Sequence, residues 1–106
     1  MATIKWDSQA RHSRKKILEY GATMWGKAAA QRMYRRIKEH TALLAVSPYL
    51  GPQEPLLQNR FPAYRSLVIH EHYKLIYKYI ESKDMVWIVD IWDTRREPNF
   101  LADSLK

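Results

Sequence analysis

Arg65, Lys74 and Arg95, with Arg96 beside the last, are the residues of this chain whose types could do chemistry together. Arg65 opens one β-prone run, Lys74 lies on the next, and Arg95-Arg96 follows a third. Convergent cations with few carboxylates suit a phosphate, or the crowded phosphorus of a phosphodiester under attack. Plain surface charge produces the same residues, and on residue type alone the two readings stand level. Asp90 and Asp93 interrupt an apolar run. Positions three apart on a strand point to opposite faces, so they form no acid–base dyad, and an ion pair of Asp90 with Lys74 or Lys78 is expected instead. His70 and His72 could share one side of a strand end as metal ligands. Zinc takes three or four protein ligands, and the chain has no cysteine, so neither a metal nor another cofactor is expected. His72 alone could act as a general acid or base. There is no serine nucleophile elbow, no glycine-rich phosphate loop and no helical His-Glu-x-x-His.

Charge supplies a second signal. Eighteen Lys and Arg face eleven Asp and Glu, a net charge of +7. Residues 1–46 hold ten bases and three acids, so the whole excess lies in the first half. Such a field favours an acidic partner or nucleic acid. Arg11, Arg14, Lys15, Lys16, Arg32, Arg35 and Arg36, together with Arg96, are the candidate contacts. At 106 residues, 46% of them hydrophobic and 27% charged, the chain fits a single globular domain over 1–106. No apolar run approaches ~18 residues, so no membrane span is expected. The first residues lack the apolar stretch of a secretory signal, and the absence of cysteine fits a reducing cytoplasm.

The elements that must position these residues follow from periodicity. Thr3–Trp6 alternates and is β-prone. Asp7-Ser8 can cap a helix from about Gln9 to Thr23, with Ala10, Ile17, Gly21 and Met24 on its core stripe. Trp25-Gly26 breaks it. A second helix spans Lys27–Val46, with Ala30, Met33, Ile37, Thr41 and Leu44 facing the core and Arg32, Arg35, Arg36 and Glu39 facing water. Ser47-Pro48 ends it, and a proline-rich loop runs to Pro62. Tyr64–Ile69, Tyr73–Ile80 and Met85–Trp92 are strands of an antiparallel meander. The expected fold is α+β, ordered βααβββ, an antiparallel sheet with a helical hairpin on one face.

Alternation assigns the faces. Tyr73, Leu75, Tyr77 and Tyr79 should meet the helices, leaving Lys74, Ile76, Lys78 and Ile80 on an open face. Pairing across Ser82-Lys83-Asp84 sets Lys78 opposite Ile88 and Ile76 opposite Asp90. An even-numbered hairpin loop would pair Ile69 with Lys74 and place Arg65 on the open face beside Lys74 and Lys78. A three-residue loop would turn Arg65 to the helix-covered face, where a lone arginine needs a buried partner. The even register is the expectation.

These residues resemble the RelE/ParE toxin superfamily. The resemblance rests on Tyr64-Arg65-Ser66-Leu67-Val68, Tyr73-Lys74-Leu75-Ile76-Tyr77, Ile88-Val89-Asp90-Ile91 and Asp93-Thr94-Arg95-Arg96-Glu97-Pro98. Ile4-Lys5-Trp6, Tyr20-Gly21, Trp25-Gly26 with Ala28-Ala29, and Ser47-Pro48-Tyr49-Leu50-Gly51 agree in order and spacing. It implies a small, basic, cytoplasmic toxin of a type II toxin–antitoxin pair. Its cognate acidic antitoxin would neutralise it, and operator DNA would be reached only through that antitoxin. RelE-like members cut mRNA in the ribosomal A site without a metal; ParE-like members poison DNA gyrase.

The departures imply the ParE-like branch. Nuclease members carry basic-x-basic where this chain has Arg65-Ser66-Leu67, and an arginine where it has Lys74, which lacks a planar fork. Arg95 matches their arginine. Leu101, beside Phe100, stands where they often place a tyrosine. If the chain were a nuclease, the resemblance would make Arg65, Lys74 and Arg95 catalytic. A third reading is a basic nucleic-acid-binding domain without toxicity.

Overall fold

Strands, helices and core are seen in a computed structural model, which describes residues 1–95 and Leu105. Arg96, Phe100 and Leu101 lie outside the described residues. The order is β1 (Thr3–Trp6), α1 (Ser8–Trp25), α2 (Lys27–Val46), β2 (Tyr64–His70), β3 (Tyr73–Ile80) and β4 (Met85–Asp93). Single 3-10 turns occupy Pro55–Leu57 and Glu81–Lys83. The Asp7 carboxylate caps α1 by accepting the Gln9 N–H at 3.0 Å, satisfying an N–H that the helix itself leaves unpaired. Between the helices the backbone passes through Gly26 at φ 92°, a left-handed conformation that favours glycine.

The sheet runs β1-β4-β3-β2. The meander β2-β3-β4 is antiparallel as expected, and β1 joins it at the edge, parallel to β4. The two helices pack together and against the sheet as a hairpin. Ala10, Ile37 and Leu44 on the helices bury against Ile69, Leu75, Tyr77, Val86, Ile88 and Ile91. Each fully buried Leu or Ile contributes roughly 1.5–3 kcal/mol. The α2 stripe falls as read from the sequence, but Met24 of α1 is exposed. Gly21 and Trp25, on either side of it in the last turns of α1, line a cleft.

Two bulges change the register. In β2-β3, His70 pairs with Tyr73 across a two-residue turn, the even register expected. Ile69 is then extra, Val68 pairs with Lys74, and Arg65 pairs with Tyr77. Directly opposed residues share a face, and one slipped residue exchanges faces. Arg65 therefore lies on the helix side, apart from Lys74 and Lys78, contrary to expectation. In β3-β4, Ile76 does pair with Asp90, but Val89 is extra and Lys78 pairs with Trp87 rather than Ile88.

The second face is not open either. Leu57, Tyr64, Ile76, Val89 and Trp92 form a smaller core there, with Trp87 and Leu105 packed on it. The proline-rich loop provides the lid. Its Glu54 N–H reaches the Tyr64 carbonyl at 2.8 Å, and the Ser66 N–H reaches the Pro52 carbonyl at 3.0 Å.

Candidate functional site

The three sheet cations are held apart, each by its own partner. The Arg65 guanidinium donates to the Gly51 carbonyl at 2.8 Å and stacks 4.8 Å over the Tyr49 ring. Beside it, the buried Tyr77 hydroxyl donates to the Pro48 carbonyl at 2.8 Å and accepts the Gly51 N–H at 2.9 Å. Burial pushes the Tyr77 phenol above its ordinary value, with the Gly51 N–H and Arg65 acting the other way. Arg65 thus clamps the loop after α2 onto the sheet.

Lys74 lies on the other face, its ammonium 2.8 Å from the Glu54 carboxylate. Glu54 is only 2% exposed. Burial alone would raise its pKa. Hydrogen bonds from Lys74, Ser66 and the Leu56 N–H outweigh burial and hold the carboxyl below its ordinary value. The pair pins the 3-10 turn over the second core.

Arg95 grips Asp93 through Nε at 3.0 Å and Nη2 at 2.9 Å. That grip holds the Asp93 carboxyl low. Contrary to the expectation from sequence, Asp90 does not pair with Lys74 or Lys78. It is buried and accepts hydrogen bonds from Gln9 at 3.0 Å and Ser13 at 2.6 Å, tying α1 to β4.

The hairpin cations are differently placed. Arg11, Lys16, Arg32, Arg35 and Arg36 are exposed and have no side-chain partner among the described residues. Lys15 makes only a 3.9 Å contact with Glu19. Arg14 is the exception, half-buried and stacked 4.4 Å over Trp6.

One concavity collects part of both sets. A cleft of about 500 Å³ opens between the hairpin tip and the β2–β3 turn. Ile17 and Met33 line it beneath Arg32 and Arg36, which stand one turn apart on α2. Tyr20 and Trp25, in edge contact at 5.4 Å, form the tip. His70, His72, Tyr73 and Arg95 close the sheet side. The His70 and His72 rings are 5.8 Å apart, and His72 Nε2 lies 3.1 Å from Glu71. No group of three or more potential metal-ligating side chains comes together among the described residues. No helix among them is long and apolar enough to cross a membrane.

Sequence reasoning missed Tyr49, Gly51 and Glu54 as partners of the cations, and Tyr20 and Trp25 as walls of the cleft. The loop residues carry no periodic signal. Tyr20 and Trp25 had one, since both fall off the core stripe of α1, where large aromatics are costly to expose without use.

Residues 4–98 match the sequence model of the family described as "ParE toxin of type II toxin-antitoxin system, parDE". No curated protein matches the chain. Among solved structures, it is similar to the chromosomal ParDE system of P. aeruginosa, with TM-score 0.69, 19% identity, and 88% of this chain and 96% of that one covered. The isolated E. coli RelE toxin gives TM-score 0.60 at 13% identity over 98% and 96% of the two chains. The intact E. coli RelBE toxin–antitoxin complex gives 0.58 at 15% identity over 91% and 100%. At such identities the structural likeness speaks for the fold.

Proposed function

The chain belongs to the ParE toxin family of type II toxin–antitoxin systems, and on that premise we propose that it is a ParE-like toxin that poisons DNA gyrase in the cytoplasm when its acidic antitoxin is missing. The observation that carries this reading is the dispersal of the sheet cations. A metal-free nuclease needs several positive donors aimed at one phosphorus. Here Arg65 faces the helices and holds Gly51, Lys74 lies on the opposite face against Glu54, and Arg95 is clasped by Asp93. Such residues support the fold more than a reaction.

The antitoxin follows from the charge. The hairpin carries cations with no side-chain partner among the described residues, and an acidic, partly disordered tail could fold onto them as it wraps the surface. Similarity to the toxin of the E. coli RelBE complex supports a protein partner of this kind. The test is induction without antitoxin. Gyrase-linked DNA breaks with intact mRNA are expected. Codon-dependent mRNA cuts without such breaks would overturn the reading in favour of a ribosome-dependent mRNA interferase.

A further inference from the structure

The cleft under the hairpin tip has a chemistry that gyrase poisoning does not require. Its cations come from two elements. Arg32 and Arg36 project from one side of α2 with no side-chain partner among the described residues. Arg95 enters from the end of β4, oriented by Asp93 and, among the described residues, with further N–H donors to spare. Glu71 is the acid on the cleft wall, and it already faces His72. Arginine forks match phosphate oxygens two at a time. Aromatic faces stand beside them. Tyr20 is 50% and Trp25 66% exposed at the tip, and His70 and Tyr73 lie 5.7 Å apart on the floor of the turn. A volume of about 500 Å³ lies within the range that holds a small ligand.

We propose that this cleft binds a nucleotide unit, free or at the end of a single strand, with its phosphate on Arg32, Arg36 and Arg95 and its base against Tyr20 or Tyr73. Stacking tolerates any base, because every base has a π-face, so phosphate and stack together define the class rather than the letter. An acidic peptide would satisfy the arginines but would leave the flat aromatic walls without a planar partner. The proposal concerns binding by the toxin itself and stands whether or not gyrase is the target.

The test uses the purified full chain without gyrase or antitoxin. Calorimetric titrations with ATP, UMP, a 5′-phosphorylated oligo-dT, inorganic phosphate and a poly-glutamate decamer separate the sources. ATP, UMP or the oligonucleotide should bind at least tenfold more tightly than phosphate. Oligonucleotide binding without mononucleotide binding would assign the site to a strand end. Arg32→Ala/Arg36→Ala should weaken that binding tenfold or more, while Lys38→Ala/Lys83→Ala, which removes equal charge elsewhere, should change it less than twofold. Tyr20→Ala should erode the preference for nucleotide over phosphate, and Tyr20→Phe should restore it. The proposal is overturned if neither nucleotides nor the oligonucleotide bind, if phosphate binds as well as they do, or if the two arginines make no difference. It is equally overturned if only the decamer occupies the cleft, which would assign it to a protein partner.

Discussion

The cations of the sheet and those of the helical hairpin live in opposite circumstances. On the sheet, Arg65, Lys74 and Arg95 each meet a carbonyl or carboxylate within 3.0 Å. On the hairpin, Arg11, Lys16, Arg32, Arg35 and Arg36 face solvent without a side-chain partner among the described residues. Each member of the sheet set has a partner, and removing Arg65 or Lys74 should be felt in stability. The hairpin set is unmatched, and removing it should be felt in binding. Residue type does not distinguish the two; the presence of a partner does.

The sharpest break in that contrast is expected at Lys74. Lys74→Ala leaves Glu54 buried and unpaired, at a cost of ~3–5 kcal/mol, seen as a large fall in Tm. Lys74→Met/Glu54→Leu should recover much of it, since well-packed apolar replacements of a buried pair are often neutral. The pair also sets a pH dependence. Because folding lowers the Glu54 pKa, its stabilisation is present above the unfolded value of about 4.3 and is lost as pH falls through the folded value. Acid titration of Tm should therefore steepen in the wild type and be shallower in the double variant.

Gly51 should come next. A Cβ there would fall 2.3 Å from the Ser66 carbonyl oxygen and 2.9 Å from the Tyr77 hydroxyl. Backbone must move, so Gly51→Ala should cost ~1–3 kcal/mol in chemical denaturation. Arg65→Ala removes a charged donor from a carbonyl at a half-buried site, and about 1.5 kcal/mol is expected. At the small end lies the hairpin. Reversing Arg11, Lys15, Arg32 and Arg36 to Glu should leave Tm nearly unchanged, with each exposed site within about 0.5 kcal/mol. Antitoxin or target association should nevertheless slow markedly in stopped-flow mixing and lose its salt dependence.

The elements were legible because their signals are local. The α2 boundaries follow from alanine propensity, the Gly26 break and Ser47-Pro48, and the Asp7 cap from residue type. What failed was long-range and small. The bulges at Ile69 and Val89 each insert one residue, which alternation cannot foresee, and each reverses the faces beyond it. The first moved Arg65 away from Lys74. The second changed the partner of Lys78, and the same strand carries Asp90 onto α1. The partners of the sheet cations come from the loop 48–54, whose prolines announce a loop but not where it docks. The exposed hairpin cations were legible because amphipathic periodicity separates them from the core stripe.

Arg65 tests the central claim most directly. The Arg65→Ala variant should be induced without antitoxin at a temperature where circular dichroism shows it folded, with toxicity scored per folded molecule. The account predicts toxicity equal to wild type on that scale, because Arg65 clamps a loop and touches no reacting phosphate. Toxicity abolished in a variant that is folded and still binds antitoxin would contradict the account and make Arg65 a catalytic residue.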